Sequence, residues 1–203
     1  MTDLNDLDLH NVTINIPTDA QEILSTLEAD GRQAYVVGGC VRDSLIGRTP
    51  GDWDITTSAL PMQVKQLFRR TVDTGIKHGT VTVMMGDTGY EVTTYRIDGN
   101  YADGRHPDSV EFSANLRDDL KRRDFTINAM AYNNSDGLVD EFNGIGDLQA
   151  GIVRCVGDAR ERFTEDALRM MRAIRFSAQL GFIIDEDTYS AIGAMADTIS
   201  KGS

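Results

Sequence analysis

Hydrophobic and polar positions along this chain change period several times, and each change marks an element. Pro17, Thr18 and Asp19, followed by Gln21, make a capped start for a helix that runs to about Ala29 and is closed by Gly31. Ala34 to Val37 is a short apolar run stopped by Gly38 and Gly39, and residues 41–46 then have helical spacing, which predicts a strand, a glycine turn and a short helix. Residues 52–57, rich in aromatic and β-branched side chains, predict a second strand, and a helix opens near Ser58 to Pro61 and runs to Arg70. Residues 80–83 and 90–95 flank Gly86-Asp87-Thr88-Gly89, a hairpin signal. The order αβαβαββ builds a mixed sheet with helices against it.

Residues 97–109 are polar and glycine-bearing with no periodicity, which predicts a mobile loop of the kind that serves as a lid. Helical patterns follow at 115–121 and 124–131, then a turn at 133–137 and a short helix at 145–150. A domain boundary is expected near 151–156, dividing residues 1–150 from a helical remainder, 151–203, with helices over 157–179 and 186–200. Leu168, Met171 and Ile174 form a stripe expected to pack into a core. A terminal helical pair of about 45 residues buries little apolar surface alone, so the chain reads as a fragment of a longer protein.

Charge narrows the possible partners. The 203 residues carry 32 acidic and 20 basic side chains, a formal charge of −12, which argues against a free-standing nucleic-acid-binding module. A small anionic ligand remains open, because the basic residues are grouped at Lys121 to Arg123 and at Arg160, Arg162, Arg169, Arg172 and Arg175. No apolar run approaches the roughly 20 residues of a membrane helix, and the N-terminus is acidic where a secretory signal is basic and then apolar; a cytoplasmic protein is expected. Cys40 and Cys155 are far apart and lack metal-ligand spacing, so two reduced thiols are expected.

Asp52 and Asp54 stand at i and i+2 on a predicted strand, with both carboxylates on one face and Trp53 on the other. Two such carboxylates repel unless a cation sits between them, and Mg²⁺ suits a site where phosphates supply further oxygens. The alternative is an exposed Asp-x-Asp with no ligand. Glu91, on another predicted strand, could bring a third carboxylate to the same edge or be a hairpin glutamate. Gly38 and Gly39, joining a strand to a helix, let backbone N–H groups approach a phosphate, and Arg42 follows within one turn, placed either to reach that anion or to pair on the surface with Asp43.

The segment GGCVRDSLIGRTPGDWDITT resembles the head-domain signature of the polymerase-β-like nucleotidyltransferases that include bacterial tRNA nucleotidyltransferases (CCA-adding enzymes) and bacterial poly(A) polymerases. RRDFTINAMA at 122–131 and EDALRMMRAIRF at 165–176 are similar to two further motifs in the family's order, and the resemblance covers about residues 20–182. It implies an α+β fold: a mixed-sheet nucleotidyltransferase catalytic head at 1–150, then the start of an all-helical neck at 151–203 that carries the nucleotide-selecting helix, with body and tail absent. It implies Asp52 and Asp54 as metal-binding catalytic carboxylates and Glu91 as a third acidic residue. Gly38, Gly39 and Arg42 fall near the triphosphate, Arg123, Asp124 and Asn128 near sugar and phosphates, and Asp166, Arg169, Arg172 and Arg175 on the nucleotide-selecting helix.

Asp166, Arg169 and Arg172 recur every three residues, within about 120° of one another on a helix, as a base-reading face or as an Asp–Arg ladder in solvent. Cytosine and adenine both present an amino donor beside an unprotonated ring nitrogen; a carboxylate accepts and a guanidinium donates, so an Asp166–Arg169 pair matches C and A and opposes U and G. The resemblance implies CCA addition to the tRNA 3′ end from CTP and ATP. Divalent ions on Asp52 and Asp54 would assist in-line attack of the RNA 3′-hydroxyl on the α-phosphate, with Arg42, Arg123 and Arg172 neutralising the triphosphate. His10, His78 and His106 have no part in this, and no membrane or protein partner is implied. A-adding, CC-adding and poly(A)-polymerase activities are the alternatives within the family; a non-catalytic nucleotide-binding module and a plain acidic interaction domain are those outside it.

Overall fold

The computed structural model describes residues 12–99 and 109–201. Helix α1 (Thr18–Ala29) precedes strand β1 (Ala34–Val37), helix α2 (Gly39–Leu45), strand β2 (Asp54–Thr57) and helix α3 (Pro61–Leu67). Strands β3 (Thr71–Gly75), β4 (Thr80–Met85) and β5 (Thr88–Thr94) follow, then a short pair, β6 (Arg96–Asp98) and β7 (Val110–Phe112). Helix α4 (Leu116–Lys121) leads through a 3₁₀ turn (Thr126–Asn128) into β8 (Met130–Asn133), β9 (Gly137–Asp140) and α5 (Gly144–Ala150). The chain closes with β10 (Ile152–Val153), α6 (Ala159–Glu165), α7 (Leu168–Leu180), β11 (Ile183–Ile184), α8 (Glu186–Met195) and a 3₁₀ segment (Ala196–Lys201).

The main sheet has the order β3-β4-β5-β2-β1-β8-β9, antiparallel throughout except where β2 lies parallel to β5. Strand β1 is buried on both faces, and its period of two feeds two separate apolar clusters: Ala34 and Val36 enter the larger, Tyr35 and Val37 the smaller. Neighbouring β8 does the same, with Met130 and Tyr132 on the first side and Ala131 on the second. The larger cluster also takes in Phe163, Met170, Ala173 and Phe176 of α6 and α7, so one apolar core runs across residues 151–156.

Several expectations are corrected. Residues 124–131 form the 3₁₀ turn and the start of a central strand, not a helix; Phe125, Ile127, Ala129 and Ala131 alternate with residues that are also buried, which hides the strand period. Asp52 lies just ahead of β2 rather than within it. The polar stretch expected as loop at 97–109 begins inside β6 and ends just before β6's antiparallel partner β7, and residues 100–108 lie outside the described residues. The helix expected over 157–179 breaks at Asp166, whose extended backbone (φ −144°, ψ 104°) ends α6 and whose carboxylate accepts a bond from Leu168 N–H, 2.9 Å, at the first turn of α7. The buried face of α7 is Met170, Ala173 and Phe176, while Met171 and Ile174 are 52% and 48% exposed. Small Ala173 allows the close approach, so the apolar stripe one position on faces outward.

Helix α5 locks the 3₁₀ turn in place. Asp140 accepts bonds from Gly144 N–H (2.8 Å) and Ile145 N–H (2.9 Å), so the helix starts against the turn. A β-carbon at Gly144 would stand 2.4 Å from Thr126 O and 2.9 Å from Met130 Cγ. Gly144→Ala is therefore expected to destabilise the fold by about 1–3 kcal/mol. Urea unfolding checks this, and an unchanged midpoint would refute the close packing.

Candidate active site

Strand register brings three distant sequence segments to one sheet edge. Val37, the last residue of β1, pairs with Asp54, the first of β2, and with Ala131 near the start of β8. Gly38 therefore turns away beside the carboxylates, and its N–H donates to Met130 O at 3.1 Å. Its φ of +81° is open to glycine, and a β-carbon there would lie 3.1 Å from Arg123 Nη1, so the guanidinium rests over the turn. The parallel register Ile55↔Val92 sets Glu91 beside Asp54.

A cavity of about 390 Å³ opens at this edge, lined by Gly38, Gly39, Arg42, Asp52, Asp54, Arg123, Asp124, Asn128, Arg172 and Arg175, together with Cys40, Asp43, Gly51 and Phe176. A second cavity of about 460 Å³ shares Gly51, Asp52 and Asp54 and adds Trp53, Tyr90 and Glu91. The two aspartates thus form a wall between a cation-rich chamber and an acidic one.

The cationic chamber is held by a chain of bonds. Arg42 Nη1 donates to Asn128 Oδ1 (2.5 Å) and Nε to Asp43 Oδ1 (2.9 Å); Asn128 Nδ2 donates to Asp124 Oδ1 (3.1 Å); Arg172 Nε donates to Asp124 Oδ2 (2.7 Å). Arg123 is anchored from behind by Asp119, which is fully buried: Arg123 Nη2 donates to Oδ2 at 3.2 Å, Arg122 Nη2 to Oδ1 at 2.7 Å, and Thr56 Oγ1 to Oδ2 at 3.0 Å.

On the acidic side, burial pushes the Asp54 carboxyl above its ordinary range; the Arg123 charge opposes this and the Asp52 charge adds to it. Burial likewise raises Glu91, with Asp54 and then Asp52 contributing. Cys40 behind them is pushed up to about 11, first by burial and then by the Asp54 charge, so its thiol stays protonated at neutral pH. The crowded carboxylates are an all-oxygen donor set suited to a hard divalent cation. Among the described residues no group of three or more His, Cys, Asp or Glu side chains is gathered closely enough to hold a metal alone. Two carboxylates plus oxygens from a bound phosphate is an arrangement that fits a hard divalent cation.

Asp166 and Arg169 do not line this cavity, and the Arg169 backbone N–H donates to Asp166 O at 3.1 Å. Arg169 is 9% exposed and donates to Glu165 Oε2 (2.5 Å), Arg122 O (3.2 Å) and Arg162 O (3.3 Å). The break at Asp166 places it ahead of α7 rather than on the helix with Arg169, so the two do not share one helix face as expected. Sequence reasoning also passed over Phe176 and Asp119. Asp119 was legible as a carboxylate three and four residues ahead of Arg122 and Arg123, and Phe176 as an aromatic four residues after Arg172.

Known proteins are similar to this chain in sequence and in fold. The chain is 56% identical over 183 residues to the CCA-adding enzyme of Leuconostoc mesenteroides, a match covering 90% of this chain and 46% of that one. It is 54% identical over 182 residues to that of Lactiplantibacillus plantarum, covering 90% and 45%. The chain spans about half the length of the curated relatives it matches. Among solved structures, the Bacillus stearothermophilus CCA-adding enzyme in complex with CTP superposes with a TM-score of 0.84 at 47% identity, over 91% of this chain and 44% of that one. A tRNA nucleotidyltransferase complexed with a primer tRNA and an incoming ATP analog gives 0.70 at 32% identity, over 86% and 50%. The sequence profile described as Poly A polymerase head domain matches residues 34–154, more than half of the chain, and the chain belongs to that family.

Proposed function

We propose that this chain is the catalytic head and the start of the neck of a CCA-adding tRNA nucleotidyltransferase, with residues 1–150 as head and 151–203 as neck. The observation that carries the reading is the wall formed by Asp52 and Asp54 between a chamber with four arginines and a chamber with Glu91. A nucleoside triphosphate needs both sides at once: cations for its β- and γ-phosphates and carboxylates beside its α-phosphate. The names and bound ligands of the relatives support CTP and ATP as the nucleotides and the tRNA 3′ end as the acceptor.

Asp52 and Asp54 would hold Mg²⁺, which supplies Lewis-acid polarisation at the α-phosphate when bound. Arg42, Arg123, Arg172 and Arg175 would take the remaining phosphate charge, and the Gly38–Gly39 turn would let the first N–H groups of α2 approach it, the Gly38 N–H itself being bonded to Met130 O. Gly38 leaves room for that approach because it carries no side chain against Arg123. Asn128 and Asp124 act from behind by holding Arg42 and Arg172 forward. The acidic chamber would receive the RNA 3′ end, with Glu91 beside the attacking hydroxyl.

Discrimination between bases by Asp166 and Arg169 requires Arg169 to leave its bond to Glu165. Burial raises the Glu165 carboxyl against the opposing charges of Arg162 and Arg169, which marks that bond as formed in a dehydrated place. Calorimetric titration of CTP, ATP, UTP and GTP, each with and without Mg²⁺, tests the proposal. CTP and ATP are expected to bind in an Mg²⁺-enhanced manner, at least about tenfold more tightly than UTP and GTP. Equal binding of all four would defeat the assignment of substrates, and binding of none would defeat the site.

A further inference from the structure

We propose that Phe176 is a positioning residue for the triphosphate: its ring gathers the guanidinium groups of Arg42, Arg172 and Arg175 into one cluster without neutralising them. The inference rests on the nucleotide reading of the cavity and adds to it a group with neither charge nor hydrogen-bonding capacity.

The guanidinium carbons of Arg42, Arg175 and Arg172 lie 4.9, 5.2 and 5.3 Å from the centre of this one ring. They come from two elements, α2 and α7, and like charges brought this close repel. Two of the three have carboxylate partners, Asp43 for Arg42 and Asp124 for Arg172. Arg175 makes no ion pair among the described residues, and the ring is its partner. The negative face of an aromatic ring attracts a guanidinium through its quadrupole and adds no negative charge to the cluster. A carboxylate in the same place would hold the arginines more strongly but would cancel the field that an incoming polyphosphate needs.

The ring is itself fixed. Phe176 is 7% exposed and meets Phe125 edge to face, with centroids 5.8 Å apart and planes at 83°. Phe125 is fully buried and follows directly on Asp124, the residue that holds Arg172. The core therefore sets the ring's orientation, and the ring in turn sets the arginines facing Asp52 and Asp54 across the cavity. Plain core packing explains the burial of Phe176 but not the convergence of three cations on it.

The test replaces Phe176 by phenylalanines carrying increasing numbers of ring fluorines, which withdraw the quadrupole stepwise at nearly constant shape. Inorganic triphosphate, CTP and cytidine are titrated against each protein, with melting temperature followed in parallel. Affinity for inorganic triphosphate and CTP is expected to fall in step with fluorination, by roughly tenfold over the series. Cytidine affinity is expected to stay flat, and melting temperature to fall only slightly as the ring's attraction for the three cations weakens. Phe176→Leu, which keeps apolar volume and removes the ring, is expected to match the most fluorinated protein. Unchanged triphosphate affinity across the series, or equal weakening of triphosphate and cytidine, overturns the proposal. A wild-type protein that binds inorganic triphosphate with this fluorine dependence but shows no preference for CTP would instead overturn the CCA reading and leave the role of Phe176 standing.

Discussion

Under the proposed function, Asp54→Asn is expected to remove the Mg²⁺ dependence of CTP binding and to lower CMP transfer to tRNA by at least about 10²–10³-fold, while leaving the protein as stable as before or more so. The first part follows from geometry, since Asp54 belongs to both chambers and asparagine keeps its shape without its charge. The loss expected is of the size measured when one group stabilising transition-state charge is deleted. The second part follows from electrostatics. Burial and then the Asp52 charge disfavour the ionised carboxyl, and Arg123 only partly compensates, so the metal-free fold carries this charge at a cost. In the absence of Mg²⁺, CTP affinity is expected to rise, because one negative charge facing the triphosphate is gone. Titration and thermal melting on the same preparation check both halves. A lower melting temperature with transfer kept within tenfold of wild type would make Asp54 a structural residue and sink the metal assignment.

Asp119→Ala is expected to be the opposite kind of change, destabilising the fold by about 3 kcal/mol and disturbing the site only through Arg123. Asp119 is fully buried, while Arg122 and Arg123 are largely so, with side chains 17% and 18% exposed; truncation deprives two dehydrated cations of this carboxylate, leaving Arg122 only the more distant Asp98 and the Thr56 hydroxyl only Thr93 O. The pH dependence has a defined sign. Burial pushes the Asp119 carboxyl up, but the charges of Arg122 and Arg123 and the bonds from Arg122 and Thr56 outweigh it, so its folded pKa lies below the ordinary 3.8. Such a depressed acid stabilises fully above its unfolded pKa and loses that contribution as pH falls through the folded value. The gap in unfolding free energy between wild type and Asp119→Ala is therefore expected to be widest near neutrality and to begin narrowing as pH falls below about 3.8, towards the still lower folded value. Denaturant unfolding at pH 7 and pH 3 measures it, and a gap independent of pH would rule out an ionic origin.

The contrast between these two aspartates shows what the sequence exposed and what it hid. Asp52, Asp54, Gly38, Gly39 and Arg42 were legible because a glycine turn after an apolar run and a nearby carboxylate pair are local patterns with local meanings. The β4–β5 hairpin was equally legible, although its turn is the two residues Gly86 and Asp87, with Met85 paired to Thr88. Strand β3 was not: Thr71 to Gly75 contains one strongly apolar residue, Val72, because it is an edge strand half in water. Strand β8 was misread for the opposite reason, since a strand buried on both faces shows no alternation. In α7 two apolar triplets with the same spacing compete, Met170-Ala173-Phe176 and Leu168-Met171-Ile174, and only packing against the sheet decides between them. Spacing alone also does not reveal that the Asp166 carboxylate bonds the Leu168 N–H at the start of α7, as a carboxylate beside a helix start favours the free N–H groups there.

Trp53 gives this arrangement an optical consequence. It is the chain's one tryptophan, it stands between Asp52 and Asp54 in sequence, and its indole lines the acidic chamber while packing against the core. Its emission reports on the polarity and charge a few ångströms from the carboxylates, with no competing indole elsewhere to dilute the signal. The molecule carries its own spectroscopic probe at the point where metal, nucleotide and acceptor would meet, so occupancy of the site can be followed by light on the unlabelled protein.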